Sequence, residues 1–218
     1  MAKAPLAGQV KTRLLPALSP EQAARLAKAL LVDQLNHVRK MESADLFLAF
    51  APAKARPLMA RLAPPFFSLF PQQGANLGAR MQAVFEKLFR AGYKRVVLIG
   101  SDLAAVPLSF FAQAYHFLES RERRVALGPS RDGGYYLVGC NRPTPGLFSK
   151  MRWGHDAVLK QTLDRLARLK IGHDLLPVWY DVDTPEDVRA LRAELDLASL
   201  ANAMPETLNF LRDPQNAL

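Results

Sequence analysis

Apolar residues at Ala23, Leu26, Ala27, Leu30, Leu31, Leu35 and Val38 recur with helical spacing. They follow Ser19-Pro20-Glu21-Gln22, a capping box with proline at the first helical position, and together predict a helix. The pattern then changes period. Asp45 to Phe50, ended by Pro52, and Phe66 to Phe70, bounded by Pro64-Pro65 and Pro71, predict strands on either side of a short helix from Arg56 to Leu62. Leu77, Met81, Val84, Phe85 and Leu88 predict a helix that Gly92 stops. Val96 to Ile99 then form an apolar run of the buried-strand kind, and Phe110, Phe111, Ala114, Phe117 and Leu118 predict a helix over Ser109 to Glu119. Val125 to Pro129 and Tyr135 to Gly139 are strands about a Ser130-Arg131-Asp132-Gly133-Gly134 turn, followed by a helix from Asp156 to Leu169. Trp179 to Asp183 are expected to end a strand, and Thr184-Pro185-Glu186-Asp187 opens a helix running to Leu200 on Val188, Leu191 and Leu195.

Strands alternating with helices argue for an α/β fold, one mostly parallel Rossmann-like sheet with right-handed crossovers and helices around it. The expected division is one domain over residues 1–203 and a tail over 204–218. Half of the 218 residues are hydrophobic, enough for one sizeable core.

Charge adds a partner question. Lys and Arg number 29 against 20 Asp and Glu, a formal +9 that suits a polyanion or a nucleotide phosphate. The basic residues are spread over helices such as those carrying Arg25, Lys28, Arg165 and Arg168, with no long block, which argues against nucleic acid. Cys140 is the single cysteine, so no intrachain disulfide or Cys-based metal motif exists. The apolar runs are far shorter than a membrane span and no signal-peptide pattern opens the chain, so a cytoplasmic protein without a membrane partner is expected; oligomeric state is not legible.

Five stretches carry candidate chemistry. In MAKAPLAGQVKTRLLP, Gly8 precedes Lys11, Thr12 and Arg13, a compact ammonium and a bidentate fork suited to pyrophosphate oxygens. A basic surface loop is the alternative. Gln72 to Gly78 sets amides and glycines before a helix, which suits an anion or a nucleobase edge and equally suits loop punctuation. Asp102, delivered by the strand of Val96 to Ile99, is either a ligand-binding carboxylate at a strand's carboxyl end or a helix cap. With Asp183 it makes two carboxylates at separate element ends, what a hard divalent cation needs if it also binds phosphate oxygens. Asp132, Gly133 and Gly134 run into Tyr135; they form a turn that could also hold a sugar or acyl acceptor.

Taken in order, AKAPLAGQVKTRL, QGANLGARM, VVLIGSD, LGPSRDGGYYLVG and DVDTPEDV resemble the bacterial GT-A-type glycosyltransferase-like family of the nucleotide-diphospho-sugar transferase superfamily. Its kin include phospholactate guanylyltransferase and molybdenum-cofactor nucleotidyltransferases. The resemblance implies a GT-A fold and metal-dependent transfer from a nucleotide sugar or nucleoside triphosphate to a small acceptor, with Mg2+ or Mn2+ as cofactor. It implies Gly8, Lys11 and Arg13 as the nucleotide-phosphate loop, Asp102 and Asp183 as metal ligands and Gly133, Gly134 and Tyr135 as the acceptor loop; joined to the reading of the residues, Lys11, Arg13 and Asp102 are expected to be catalytic and Gly8, Lys11, Thr12, Arg13, Gly74, Asn76, Gly78 and Arg80 to be nucleotide contacts. Asp132, Gly133, Gly134, Tyr135 and Trp153 would meet the acceptor.

Four departures motivate a rival, a nucleotide- or partner-binding protein that kept the scaffold and lost the chemistry. Leu103-Ala104-Ala105-Val106-Pro107 delays the proline that the family has two residues after the aspartate, Asn76 replaces an acidic residue, and Gly154-His155 replace a Ser-Thr pair. The fourth is the family's first apolar strand before AKAP, which is short or missing. The expectation drawn from it is that the natural chain starts further upstream, with the gap here closed by another segment, a neighbouring chain or disorder around Gly8.

Overall fold

The computed structural model describes residues 1–15, 17–195 and 198–216. The chain forms two compact units: Met1–Pro71 with Ser101–Val106 and Asp181–Leu218, and Gln72–Gly100 with Pro107–Tyr180.

In the first unit, β1 (Ala2–Lys3), β2 (Leu46–Ala51) and β3 (Phe67–Pro71) form a parallel sheet in that order. The first strand is therefore present but only two residues long. Ala2 lies opposite Phe50 and Lys3 opposite Ala51, and the Ala4 N–H extends the pairing to the Ala51 carbonyl at 2.7 Å. The loop that follows is held by its own backbone bonds, Leu6 N–H to Ala4 O (2.8 Å) and Gln9 N–H to Leu6 O (3.0 Å). Helix α1 (Pro20–Val38) starts at the expected capping box, with the Ser19 hydroxyl accepting from Gln22 N–H and the Gln22 side chain accepting from Ser19 N–H. It buries Ala23, Leu26 and Leu30, each leucine contributing about 1.5–3 kcal/mol by leaving water. Helix α2 (Arg56–Leu62) has the predicted bounds.

The tail is more organised than its sequence suggests. The helix from Thr184 is α6 (Pro185–Glu194), shorter than expected, and α7 (Ala198–Ala203) and α8 (Pro205–Arg212) follow as separate helices; residues 196 and 197, inside the predicted run to Leu200, lie outside the described residues. Asp33, buried on α1, accepts from the N–H groups of Glu206 (3.0 Å) and Thr207 (2.7 Å). A carboxylate from α1 thus satisfies the open donors at the start of α8, which is why residues 204–216 fold back rather than trail away.

In the second unit, β4 (Val96–Ile99), β5 (Arg124–Pro129), β6 (Tyr135–Cys140) and β7 (Gly172–Leu175) form a sheet in the order β4-β6-β5-β7. β6 runs antiparallel to both neighbours and β5–β7 is parallel, so parallel pairs predominate over the two sheets without being universal. The Asp-Gly-Gly turn causes the reversal, because it joins β5 to β6 as a hairpin. Helices α3 (Leu77–Arg90), α4 (Leu108–Phe117) and α5 (Val158–Arg168) fall where the apolar spacing puts them. The strand expected to end at Asp183 is absent; Trp179 and Asp181 make isolated bridges, to Ser130 and Leu103 respectively, and the strand in this part of the chain is the earlier β7. Cys140 is buried and its thiol pushed up to about 12 by burial, which leaves it inert.

Candidate active site

The first unit gathers the charged residues singled out in its sequence. Leu103 bridges Asp181 in antiparallel fashion and the Val182 N–H donates to the Asp102 carbonyl at 2.9 Å, so the two acid-bearing segments are stapled backbone to backbone. The capping box of α6 fixes the end of the second segment. One oxygen of Asp187 accepts from the N–H groups of Asp183 (3.0 Å) and Thr184 (2.8 Å), and Asp187 N–H returns a bond to the Thr184 hydroxyl.

Into this pair comes Lys11. Its ammonium donates to Asp183 Oδ1 at 2.7 Å and lies 3.4 Å from Asp102 Oδ2, with only 4% of its side chain exposed. The Lys11 backbone is left-handed (φ 50°, ψ 37°), a conformation that costs a residue with a side chain about 1–3 kcal/mol and persists where the surroundings impose it. The Gly8 turn (φ 72°), the Leu14 N–H on the Lys11 carbonyl (2.9 Å) and the two carboxylates do so. Arg13 stands at the rim, 60% exposed, with Nη1 3.8 Å from Asp183 Oδ2.

The electrostatics follow from who faces whom. Burial works to depress the Lys11 pKa, but Asp102, Asp183 and Asp181 outweigh it and hold it above the ordinary lysine value. For Asp102, burial pushes the carboxyl up while Lys11 pulls it further down, and the net shift is downward. Lys11 is a protonated counter-ion and Asp102 an ionised carboxylate at neutral pH. With 46% of its side chain open, Asp102 sits in an ion pair that solvent partly screens.

Two carboxylates meeting on one cation are an oxygen donor set of the kind Mg2+ or Mn2+ takes. Among the described residues no group of three or more His, Cys, Asp or Glu side chains is arranged to hold a metal. An ion held by these two carboxylates would take its remaining ligands from water and phosphate.

In the second unit, the other sequence candidates serve their own backbone. The Asn76 side chain caps α3 by accepting from Ala79 N–H at 3.0 Å, and Arg80 Nε donates to the Gly74 carbonyl at 3.1 Å. A Cβ on Gly78 would lie 2.6 Å from the Phe148 carbonyl and 2.8 Å from the Trp153 ring, so Gly78 permits close packing. Trp153 belongs to an aromatic cluster with Phe148 and Tyr135, both at 6.5 Å between ring centroids. Asp132 accepts from Gly134 N–H at 2.9 Å, the Asx bond that shapes the hairpin turn. Gly133 (φ 84°) presses against α5's approach, where a Cβ would come 1.9 Å from the Asp156 carbonyl oxygen and where its own carbonyl accepts from Leu159 N–H.

Sequence reasoning missed Asp187 as the group that positions Asp183, reading it only as a helix cap. It also missed the contribution of Asp181 to the field around Lys11.

Residues 34–155 match a family described as "Uncharacterized protein conserved in bacteria (DUF2064)", and the chain belongs to it. The fold is that of the nucleotide-diphospho-sugar transferases. A Desulfovibrio desulfuricans G20 protein, described as a "putative nucleotide-diphospho-sugar transferase", is 34% identical with a TM-score of 0.87, over 97% of this chain and 91% of that one. At the level of fold alone the chain also resembles 4-diphosphocytidyl-2C-methyl-D-erythritol synthase from Anaerococcus prevotii DSM 20548 (9% identity, TM-score 0.58, 89% and 94% coverage). A similar fold-level likeness holds for Rv0371c from Mycobacterium tuberculosis H37Rv (21%, 0.55, 87% and 95%). No curated protein matches the chain. Among the described residues no helix is long and apolar enough to cross a membrane.

Proposed function

We propose that the protein is a transferase that takes a nucleotide sugar or nucleoside triphosphate with Mg2+ or Mn2+ and transfers a glycosyl or nucleotidyl group to a small acceptor. The observation that carries this reading is the convergence of Lys11, Arg13, Asp102 and Asp183, drawn from three distant segments of the chain. Lys11 and Arg13 bind phosphate oxygens, Lys11 as a buried point charge and Arg13 as an exposed fork. Asp102 and Asp183 would hold the divalent ion, which supplies charge neutralisation at the phosphates when bound. At the reacting atoms these side chains would hold the phosphates in position and stabilise the charge that develops on the leaving group, with the proton of the acceptor passing to solvent or to a base. The likeness to the Desulfovibrio protein over nearly the whole chain supports this class. The acceptor contacts, Asp132, Gly133, Gly134, Tyr135 and Trp153, stay part of the proposal. The departures from the family pattern leave the four charged side chains together, so the impaired-scaffold rival gains no observation here.

Thermal unfolding in the presence of nucleoside triphosphates and nucleotide sugars, with and without Mg2+ or Mn2+, tests the reading. A ligand at one hundred times its Kd stabilises by about 2.7 kcal/mol, a shift easily seen. Release of pyrophosphate from a triphosphate or of nucleoside diphosphate from a nucleotide sugar then separates nucleotidyl from glycosyl transfer. Absence of any nucleotide-dependent shift in either metal overturns the proposal.

A further inference from the structure

Lys11 occupies the position between Asp102 and Asp183 that a shared cation would need. Its nitrogen is 2.7 Å from one carboxylate and 3.4 Å from the other, and its side chain is almost wholly enclosed. Arg13 adds a second positive charge at 3.8 Å from Asp183. A divalent ion arriving alone meets carboxylates that are already neutralised, and it must either expel an enclosed ammonium without offering it a new partner or bind beside a positive charge. An anion changes that balance. Phosphate oxygens give Lys11 and Arg13 acceptors of their own, and every carboxylate oxygen they release becomes available as a ligand.

We propose that Lys11 is a built-in counter-ion that makes binding of the divalent cation conditional on a phosphate-bearing ligand, so that the protein takes phosphate first and takes metal alone poorly. This rests on the reading of Asp102 and Asp183 as metal ligands. The two carboxylates are presented at a fixed spacing by the backbone pairing of Asp102 and Leu103 with Asp181 and Val182, and by the Asp187 box. The gate is thus the lysine side chain, with the frame behind it built into the backbone. No bond is made or broken in the exchange; the ammonium keeps its proton and changes partner from carboxylate to phosphate.

The test measures Mn2+ alone, followed by the free-ion electron paramagnetic resonance signal, on the full chain and on Lys11→Met, which keeps the length and apolar stem of the side chain and removes its charge. Lys11→Met is expected to bind Mn2+ alone at least about tenfold more tightly than the parent, the effect of removing one close like charge. Lys11→Met with Asp183→Asn is expected to lose that gain. Equal Mn2+ affinity in the parent and in Lys11→Met overturns the gate while leaving the metal site standing. A folded Lys11→Met that binds no Mn2+, alone or with pyrophosphate, overturns the metal assignment beneath both proposals. A second measurement needs no variant: inorganic pyrophosphate in the presence of a chelator is expected to bind the parent chain, as read by calorimetry. Pyrophosphate binding that appears only after Mn2+ is added overturns the order.

Discussion

Around Lys11 polar side chains reach across the sequence to one another, whereas around Gly133 and Asn76 they turn back onto neighbouring backbone. Lys11 and Asp183 are 172 positions apart and bonded at 2.7 Å; Asp132 bonds Gly134, Asn76 bonds Ala79 and Arg80 bonds Gly74. Local bonds of the second kind shape turns and start helices, each engaging one polar atom of the side chain. Long-range charge pairs do no such local work. The Lys11–Asp102–Asp183 group spends stability on a left-handed lysine and a crowded field, and that expenditure is better explained by a ligand than by the fold.

The sharpest way to break this contrast is Gly133→Ala. A positive φ and a Cβ 1.9 Å from the Asp156 carbonyl oxygen leave no room for even a methyl group, so the hairpin turn and the start of α5 must separate. A loss of about 3 kcal/mol or more in urea unfolding is expected. If instead stability is preserved and only acceptor turnover falls, the turn is a binding element first and a structural one second.

Next in size is Arg13→Ala against Arg168→Ala. Removing a directed fork from phosphate costs about 1.5–3 kcal/mol, tenfold or more in nucleotide affinity, while Arg168, exposed on α5 with its Nε on the Asp164 carbonyl, loses only screened charge. Equal weakening by both, measured by calorimetry, would mean that net charge alone recruits the nucleotide.

How much of this was legible depends on the range of the interaction. Both capping boxes, Ser19 with Gln22 and Thr184 with Asp187, appear as written because each is closed within four residues. Strands β2 to β6 and helices α1 to α5 follow from apolar periodicity. β7 was not legible because Gly172, His173 and Leu175 are exposed on an outer strand, where no apolar alternation is required. Helix α8 depends on a carboxylate at position 33, and no local pattern announces that. In the candidate site, the residue types and their order pointed to phosphate and metal, but the insertion of Lys11 between the aspartates is a long-range fact that only the folded chain displays.

A smaller effect is expected at Asn76. Asn76→Ala removes the cap of α3 and should cost about 1 kcal/mol, and Asn76→Ser should restore most of it, since serine caps nearly as well. Nucleotide affinity tracking stability through both variants identifies Asn76 as a cap. A Ser variant that is stable but binds nucleotide weakly would move Asn76 into the ligand-binding group, and with it Gly74 and Arg80.

The gentlest test compares carboxylates by what faces them. Asp102 faces an ammonium; burial pushes its pKa up, Lys11 outweighs burial, and the folded value lies below the ordinary 3.8. Its contribution is therefore present above pH 3.8 and is lost as pH falls through the lower folded value. Asp33 faces backbone N–H groups; burial pushes it up against the bonds from Thr207 and Glu206, and the folded value lies above 3.8. Between 3.8 and that raised value the folded chain holds the extra proton, so Asp33 favours folding at the acid end and this preference fades as pH rises. Stability measured by urea unfolding from pH 3 to 7 should then bend in opposite senses in two variants. Asp102→Asn flattens the fall on the acid side, modestly because half of that side chain is in solvent, and Asp33→Asn makes the rise towards neutral pH steeper. Asparagine at 33 keeps an acceptor for one N–H of α8 and lowers stability throughout, so the slope with pH is the readout; parallel curves for the parent and Asp33→Asn would show that the carboxyl titrates alike in the folded and unfolded chain and is not raised by burial.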